Sequence, residues 1–378
     1  MSYIDAYFNN KTNTVQVAER DKNSKLHTKV LAPSLFFYYE SPTGKYTTTT
    51  GIKCERYDAS SLNDFKNELN LMRSSGRKVF ENHIKPLFKT LEHHYINQDA
   101  PPLNIGFVDI ETDFDPERGF SSSDEAFMPI TAVTVKHSWT GLLHTLVLKP
   151  KLMSNSEAQV IVDKFENTTL CDSESMLLDK FLKLIEDVDV LSGWNSQFYD
   201  LPYIINRVHK IRGKMDTNRL CLWHQFPKSK KIERFGDIQN TYELVGRLHL
   251  DYLDLYRKYT YSELPSYRLD YVAEVELGER KIQYDGTLDA LYNNDFEKFI
   301  QYNRQDTELL YKLDDKLKYI DLVNMIAHDN LVPIPTVMGA VALSDNAILL
   351  ETHRRNMIGP GTDTDGYFED ENDGENTA

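Results

Sequence analysis

The feature that most restricts the fold of this chain is a series of apolar runs that begins directly after two prolines. Pro101 and Pro102 cannot continue a helix or a central strand, so we expect a domain boundary there. Beyond them, helical periodicity alternates with buried-strand patterns. The predicted strands cover 105–110, 130–135, 144–148 and 188–194, and helices are predicted over 173–188, after Pro202 and over 296–317. Strands separated by helices predict an α/β sheet.

The charge of the chain is unevenly distributed along its 378 residues. The net charge is −15, which disfavours uniform wrapping of duplex DNA, although local patches and metal ions can still neutralise phosphates. Residues 1–100 hold 14 bases and 11 acids, whereas residues 361–378 hold seven acids and no base. These differences predict a mildly basic α+β domain over 1–102, an acidic middle domain, and a disordered acidic tail over 361–378.

Several classes of protein are excluded by composition. The three cysteines, Cys54, Cys171 and Cys221, are too few and too far apart for a disulfide framework or a zinc site, so a reducing cytosol is the expected compartment. The N-terminus does not have the pattern of a signal peptide, and no apolar run approaches the roughly 18 residues of a membrane span. No partnership with a membrane is expected.

Two acids close the first strand of the predicted sheet. Ile105, Phe107, Asp109 and Glu111 share one face of that strand, because alternate residues of a strand point to the same side. Carboxylates two residues apart stand about 7 Å apart along the strand and can bind a common cation. The alternative is that the strand has already ended and both acids are solvated turn residues.

Two further acids occupy unusual positions. Asp200 follows a second strand that ends at Gly193, although it also suits a plain helix start. Asp306 lies seven residues from both Phe299 and Leu313, on the apolar stripe of the helix over 296–317. A carboxylate on a core-facing stripe is costly unless it is paired, protonated or metal-bound, the alternative being a residue at the edge of the stripe. Tyr302 lies one turn earlier on the same face.

Together, the four acids predict one cleft for hard cations such as Mg²⁺ or Mn²⁺. Two such ions about 3.5–4 Å apart form the usual clamp for displacement at phosphorus. The sequence has no P-loop, nucleophile elbow or HExxH motif, which leaves nucleoside triphosphatase, serine hydrolase and zinc protease chemistry without support.

A basic stretch and a hairpin complete the expectations drawn from residue patterns. Residues 207–234 contain nine bases and two acids, a pattern that indicates either a solvated surface or a nucleic-acid contact. Weak alternation around Phe235-Gly236-Asp237 predicts a β-hairpin over 231–246.

The combination of motifs resembles a known family. Asp109-Ile110-Glu111, Asn195 with Phe198-Tyr199-Asp200, and Tyr302 with Asp306 resemble the three motifs of the DEDDy 3′–5′ exonucleases. The longer resemblance, over nearly all of 1–360, is to the N-terminal half of T-even-phage-type family B DNA polymerases. It implies a ribonuclease H-like domain over 103–318, with a mixed sheet flanked by helices. The α+β N-terminal domain would be completed by a helical segment over 319–360.

The resemblance also implies roles for individual residues. Asp109, Glu111, Asp200 and Asp306 would hold two Mg²⁺ ions, with Mn²⁺ as a substitute, one ion activating the attacking water and the other stabilising the leaving 3′ oxygen. Tyr302 would orient the water, and Lys281 would support it unless it is an ordinary surface lysine. Three residues are candidates for contact with DNA: Asn195, which also suits a turn, Phe198, and Phe120, whose proposed wedge role Phe114 could fill instead.

The implied partners are single-stranded DNA, a primer 3′ end and a polymerase. Because the sequence shows no SLYPS-like polymerase motif, we expect a separate polymerase chain, the alternative being that this chain is a truncated piece of a longer protein. The implied location is the cytoplasm of an infected bacterial host. T-even relatives also bind RNA through the N-terminal region and repress their own synthesis, so a non-catalytic subunit that binds nucleic acid and polymerase is the alternative function.

Overall fold

The computed structural model describes residues 2–234 and 237–359. Its backbone contacts divide these residues into two compact units. The first contains the described residues of 1–102 and 323–378, and the second is Leu103–Leu322. The second unit therefore extends four residues beyond the exonuclease domain expected from the sequence. The expected acidic tail over 361–378 lies outside the described residues.

The first unit is built on two antiparallel sheets. A three-stranded sheet has the order β1-β2-β3, and a four-stranded sheet has the order β5-β6-β4-β7. Aromatic side chains fill the core beneath both, because Tyr3, Phe37 and Tyr95 are almost completely buried. The elements are β1 (Ser2–Asn9), β2 (Thr14–Arg20), β3 (Leu26–Leu31), β4 (Phe36–Glu40), β5 (Tyr46–Thr47), β6 (Lys53–Asp58), α1 (Leu62–Ser74), β7 (Val79–Phe80) and α2 (Pro86–Tyr95).

The second unit is a mixed sheet flanked by helices, which confirms the predicted fold class. Its six strands have the order β11-β10-β9-β8-β12-β15, and the pairs β8–β12 and β12–β15 are parallel. The elements are β8 (Ile105–Thr112), β9 (Ile130–His137), β10 (Leu143–Leu148), α3 (Asn155–Val162), β11 (Thr168–Cys171), α4 (Glu174–Leu184), β12 (Val190–Gly193), α5 (Asp200–Arg212), β13 (Lys228–Arg234), β14 (Asp237–Glu243), β15 (Leu248–Asp251), α6 (Tyr252–Tyr259), α7 (Leu269–Leu277), α8 (Leu288–Asn294) and α9 (Phe296–Leu317). A 3₁₀ helix (Lys214–Leu220) follows α5.

The long helix α9 covers one face of this sheet. It packs against β8, β9 and β10, and Phe296, Phe299 and Ile300 join Ala132 and Val147 in one apolar cluster. Lys298 donates its backbone N–H to the Asp295 side chain at the start of the helix, and Lys318 ends it in the left-handed conformation. The packing holds the helix above β8, the strand that carries Asp109 and Glu111.

The segment after α9 contains two more helices. They are α10 (Tyr319–Asp329) and α11 (Ala340–Arg354), with a 3₁₀ helix (Ile334–Met338) between them. Within the first unit, the hydroxyl of Tyr3 lies within hydrogen-bond distance of the carbonyl oxygens of Ala327 and Val332, at 3.1 and 2.9 Å, and Thr48 forms a parallel bridge with Ile358. The final residues described, up to 359, therefore pack onto the N-terminal sheets.

The strands β13 and β14 form an antiparallel hairpin. It spans 228–243, so it begins and ends three residues earlier than the sequence predicts, and the expected tip at Phe235-Gly236 lies outside the described residues. The three cysteines all lie among the described residues, are buried, and form no disulfide. Among residues 2–234 and 237–359, no helix is both long and apolar enough to span a bilayer.

Candidate metal centre

Three carboxylates from two elements meet where helix α9 packs on β8, an inner strand of the six-stranded sheet. Asp109 and Glu111 lie on the same face of β8, and Asp306 faces them from α9. One oxygen from each lies within 4.8 Å of the others. Glu111 and Asp306 are 8% and 3% exposed, and Asp109 is half-buried. The oxygens are therefore closer together than the separation of about 7 Å expected from the strand rise. At this distance one cation can contact all three carboxylates.

The position of Asp306 follows from the apolar stripe of α9. Phe299, Leu310 and Leu313 are buried on that stripe, and Asp306 lies among them. Its Oδ2 accepts a hydrogen bond, whereas its Oδ1 is buried and has no hydrogen-bond partner among the described residues. A buried carboxylate oxygen without a partner is costly, and a bound cation would remove that cost.

Asp200 lies beside the three carboxylates but is not a member of the 4.8 Å group. It is the first residue of α5 and is 9% exposed, and its Oδ1 accepts the backbone N–H of Ile110 at 3.3 Å. The turn from β12 to α5 requires Gly193, because an added Cβ would lie 2.6 Å from Ser196 Cβ and 2.9 Å from the Val108 carbonyl oxygen. The parallel strands β8 and β12 thus bring Asp200 next to Asp109.

Burial and mutual repulsion make these carboxylates hard to ionise. Burial raises the pKa of Asp109 well above its ordinary value, and the charges of Asp306 and Asp200 raise it further. The pKa of Glu111 is raised by burial and then by Asp109 and Asp306. Burial raises the pKa of Asp200 to about 7, and the hydrogen bond from Ile110 opposes that rise. Such a cluster binds protons or metal ions at neutral pH.

A lysine and a tyrosine border the cluster. Lys281 Nζ lies 2.5 Å from Asp306 Oδ2 and 3.4 Å from Tyr302 Oη. Burial lowers the pKa of Lys281, but the charges of Asp306, Asp109 and Glu111 outweigh burial and raise the pKa above its ordinary value. Tyr302 is half-buried, and Tyr284 packs edge-on against its ring at 5.2 Å. Lys281 is therefore paired with the acidic cluster, although its role in catalysis stays a prediction.

The turn between β12 and α5 is fixed by Asp251, which sequence reasoning missed. Asp251 ends β15 and accepts the backbone N–H groups of Asn195, Gln197 and Leu253, each at 3.0 Å. Burial raises the pKa of Asp251 to about 7. A signal was available, because Asp251 directly precedes a helical pattern, as an N-cap residue does.

The predicted DNA-contacting residues lie in loops. Asn195 has a φ of 59°, a left-handed conformation that asparagine tolerates, which fits the turn-forming alternative. The Phe198 carbonyl accepts a hydrogen bond from Ser123 Oγ at 2.9 Å. Phe120 is 63% exposed, and its ring packs edge-on against Phe114, the alternative wedge, at 4.9 Å. The DNA contacts of all three stay predictions.

Three of the nine bases in the stretch over 207–234 are paired with acids within the protein. Arg207 is buried, and its Nε donates to Glu174 Oε1 at 2.7 Å. Arg212 and Arg219 both pair with Asp179, at 3.2 and 2.9 Å. Lys230 and Lys231, on the hairpin, are exposed. Three arginines of this stretch are therefore engaged within the protein, whereas Lys210, Lys214 and the two hairpin lysines are exposed.

The donor set and its surroundings fit a hard divalent cation. All the candidate ligands are carboxylates, which Mg²⁺ and Mn²⁺ prefer, and the cluster contains a buried oxygen without a partner. No cysteine or histidine belongs to this three-carboxylate group, so the donors are not those of a zinc site.

Comparisons with known proteins show which family the sequence of this chain resembles. The family described as "DNA polymerase family B, exonuclease domain" matches residues 66–272, which is more than half of the chain. The DNA-directed DNA polymerase of Escherichia phage RB69 is 27% identical over 365 residues, covering 90% of this chain and 40% of the relative. The polymerase of Enterobacteria phage T4 is 33% identical over 179 residues, covering 47% of this chain and 20% of the relative.

The chain belongs to the family B DNA polymerase exonuclease domain family. Its second unit is a ribonuclease H-like domain, the fold of that exonuclease. Membership implies a divalent metal and DNA binding. The similarity extends to a cellular relative, because DNA polymerase 1 of Saccharolobus solfataricus is 27% identical over 238 residues, covering 60% of this chain and 23% of the relative. The chain spans well under half the length of these relatives.

Proposed function

We propose that this chain is a 3′–5′ exonuclease that removes nucleotides from the 3′ end of single-stranded DNA and so corrects the product of a polymerase. The observation that carries the proposal is the convergence of Asp109, Glu111 and Asp306 within 4.8 Å, with Asp200 beside them. This arrangement occurs in a chain of the exonuclease family. The reaction is hydrolysis: water loses a proton and forms a new P–O bond, the P–O3′ bond breaks, the departing O3′ takes up a proton to become the new 3′ hydroxyl, and a nucleoside 5′-monophosphate is released.

The four carboxylates would hold two Mg²⁺ ions, or Mn²⁺ in their place. Ions bound here would lower the pKa of the attacking water and neutralise charge on the scissile phosphate. Tyr302 would orient that water through its hydroxyl, which is 3.4 Å from Lys281 Nζ. Lys281 would hold the tyrosine and Asp306 in place, because its ammonium group contacts both.

The DNA end would enter along the loops at the carboxyl ends of β8 and β12. Phe120 is exposed there and would stack on the terminal base, with Asn195 and Phe198 beside the terminal nucleotide. A separate polymerase chain stays a prediction. Its test is whether a family B polymerase chain copurifies with this protein in fixed stoichiometry from an infected bacterial host, the expected site of action.

The proposal is tested with a 5′-labelled single-stranded oligonucleotide and Mg²⁺. We expect a ladder that shortens from the 3′ end and is abolished by EDTA. Asp200→Ala should slow shortening by orders of magnitude, because it removes one of the four candidate metal ligands. Asp315→Ala removes an exposed carboxylate from α9 and should leave the rate unchanged. Equal rates for wild type and Asp200→Ala, with both proteins folded, would show that the catalytic assignment is wrong. An oligoribonucleotide of the same sequence measures preference for DNA over RNA.

A further inference from the structure

A fully buried amide side chain touches one of the candidate metal ligands. Asn303 lies on α9, three residues before Asp306, and is 0% exposed. Its Nδ2 donates to Asp109 Oδ2 at 2.7 Å and approaches the Asp109 carbonyl oxygen at 3.4 Å. Its Oδ1 accepts a hydrogen bond from Thr134 Oγ1 at 2.5 Å. Both ends of the amide are therefore engaged, one by the sheet and the other by the acidic site.

The orientation of this amide is determined by the groups around it. If the amide were turned over, its oxygen would face Asp109 Oδ2, and two acceptors would meet whenever Asp109 is ionised, as it must be to bind a metal ion. Arg304, which can only donate, gives a hydrogen bond from Nη1 to Thr145 Oγ1 at 3.0 Å, and Thr145 Oγ1 lies 3.0 Å from Thr134 Oγ1. Each hydroxyl can then donate to the next group. The hydrogen bonds therefore form a chain in which each group donates to the next, from Arg304 to the carboxylate of Asp109.

We propose that Asn303 is a positioning residue for the metal centre: it holds the Asp109 carboxylate in a single orientation and so sets the affinity of the site for divalent cations. The proposal rests on the proposed function. A half-buried carboxylate on a strand can rotate about its terminal bond, and a donor fixed on one oxygen prevents that rotation. Hydrogen-bonding partners of metal ligands typically contribute about 10–100-fold to metal affinity or activity.

The test is direct binding of Mn²⁺ to the full chain without DNA, measured by calorimetry and by the electron paramagnetic resonance signal of free Mn²⁺. Asn303→Leu keeps the approximate volume of the side chain and removes its donor and acceptor. We expect Mn²⁺ to bind roughly 10–100-fold more weakly than to wild type. The Mg²⁺ concentration for half-maximal shortening of the oligonucleotide should rise by a similar factor, with little change in the KM for DNA.

Thr307→Val is the matched control. Thr307 is also buried on α9, and its hydroxyl donates to the Asn303 carbonyl oxygen at 3.2 Å rather than to a carboxylate. It should bind Mn²⁺ as wild type does. A second variant, Thr134→Val, removes the donor to Asn303 Oδ1 and should weaken binding in the same direction by a smaller factor. It provides the test if Asn303→Leu does not fold.

The possible results distinguish a failure of the positioning role of Asn303 from a failure of the metal centre and the proposed function. Weaker binding by Asn303→Leu, with an unchanged Thr307→Val, supports the inference even if no nuclease activity is found. Equal binding by wild type and folded Asn303→Leu overturns it, as does an equal loss in Thr307→Val, which would indicate a purely structural role. If Asn303→Leu does not fold, wild-type affinity in Thr134→Val overturns it. A wild-type chain that binds no Mn²⁺ overturns the metal centre itself, and with it the proposed function.

Discussion

Lys281 Nζ lies 2.5 Å from Asp306 Oδ2, so a positive charge from the loop between α7 and α8 reaches the acidic cluster. The side chain of Lys281 is 24% exposed and that of Asp306 is 3% exposed. The lysine is thus a built-in counter-charge for carboxylates that repel one another. Its contribution to stability should depend on whether metal ions are present.

We expect Lys281→Gln to lower the free energy of unfolding of the metal-free protein at neutral pH by about 2 kcal/mol, because a largely buried carboxylate loses its charged partner. Added Mn²⁺ should recover much of this loss by supplying positive charge. Urea denaturation with and without Mn²⁺ measures both effects. Lys312→Gln is the control, since Lys312 pairs with Glu279 in a more exposed setting where a pair contributes about 0–1 kcal/mol. Equal, metal-independent losses in both variants would contradict the prediction.

Tyr302→Phe should slow hydrolysis about 10–100-fold while leaving Mn²⁺ affinity nearly unchanged. The substitution removes one hydroxyl that would bond to the attacking water, and a hydrogen bond to a charged group contributes about 1.5–3 kcal/mol. Single-turnover rates with saturating oligonucleotide measure the effect. Tyr292→Phe makes the same chemical change where the hydroxyl bonds to the Leu148 carbonyl at 3.1 Å, and it should retain the wild-type rate. A Tyr302→Phe enzyme as fast as wild type would remove Tyr302 from the mechanism.

Stabilisation of the protein by Mn²⁺ should increase with pH. The pKa of Asp200 is raised by burial to about 7, so the folded metal-free chain retains a proton that the unfolded chain releases near pH 4. The contribution of this proton to stability is present at low pH and is lost as the pH rises through about 7. Metal ions compete with it. The rise in Tm on adding Mn²⁺ should be larger at about pH 8 than at about pH 5.5, and an effect independent of pH would argue against metal binding at these carboxylates.

The protonated form of His353 should stabilise the C-terminal segment at acidic and neutral pH, and this stabilisation should be lost at alkaline pH. Its Nε2 lies 3.0 Å from Glu81 Oε1, and its Nδ1 lies 2.6 Å from Glu92 Oε1. Burial alone would lower the pKa of His353, but the hydrogen bonds to Glu81 and Glu92 raise it to about 9. The folded-state pKa exceeds the ordinary value of 6.5. The stabilisation is therefore complete below about pH 6.5 and is lost as pH rises through about 9.

We accordingly expect His353→Gln to cost about 2–3 kcal/mol more at pH 6 than at pH 10. Hydrogen exchange of residues 340–354 measures this difference after correction for the intrinsic exchange rate. His94→Gln is the comparison, because burial lowers the pKa of His94, and the cost of its substitution should change with pH in the opposite direction. If His353→Gln has the same cost at both pH values, the histidine is not held as a cation.

The fold and the acids of the site could be predicted because they depend on local patterns. Helix α9 covers Phe296–Leu317, as its periodicity predicts, and Asp306 is buried on its apolar stripe. Four of the six strands followed from apolar runs, whereas β11 and β15 were not predicted. The parallel pairing of β8 with β12 brought Asp200 next to Asp109. The same stripe holds Asn303, four residues after Phe299. Asn303 could have been recognised as a second polar residue on this apolar stripe. Its contact with Asp109 could not have been predicted from the pattern.

Contacts between distant residues could not be predicted from these patterns. Lys281 lies in a loop without periodicity, so nothing local indicates that it reaches Asp306. The basic run over 207–234 is a charge pattern in the sequence, but Glu174 and Asp179, which neutralise three of its arginines, lie about 30–40 residues away along the chain. Ion pairs of this kind depend on how α4 and α5 pack together, which is determined by tertiary structure.

Helix α9 carries Tyr302, Asn303 and Asp306 within five residues, and on the same stripe Phe299 packs in the apolar core. The same helix therefore contributes both to the candidate metal centre and to the apolar core. Under the proposed proofreading function, a modest substitution at Phe299 that leaves the protein folded would appear in genetics as a raised mutation frequency.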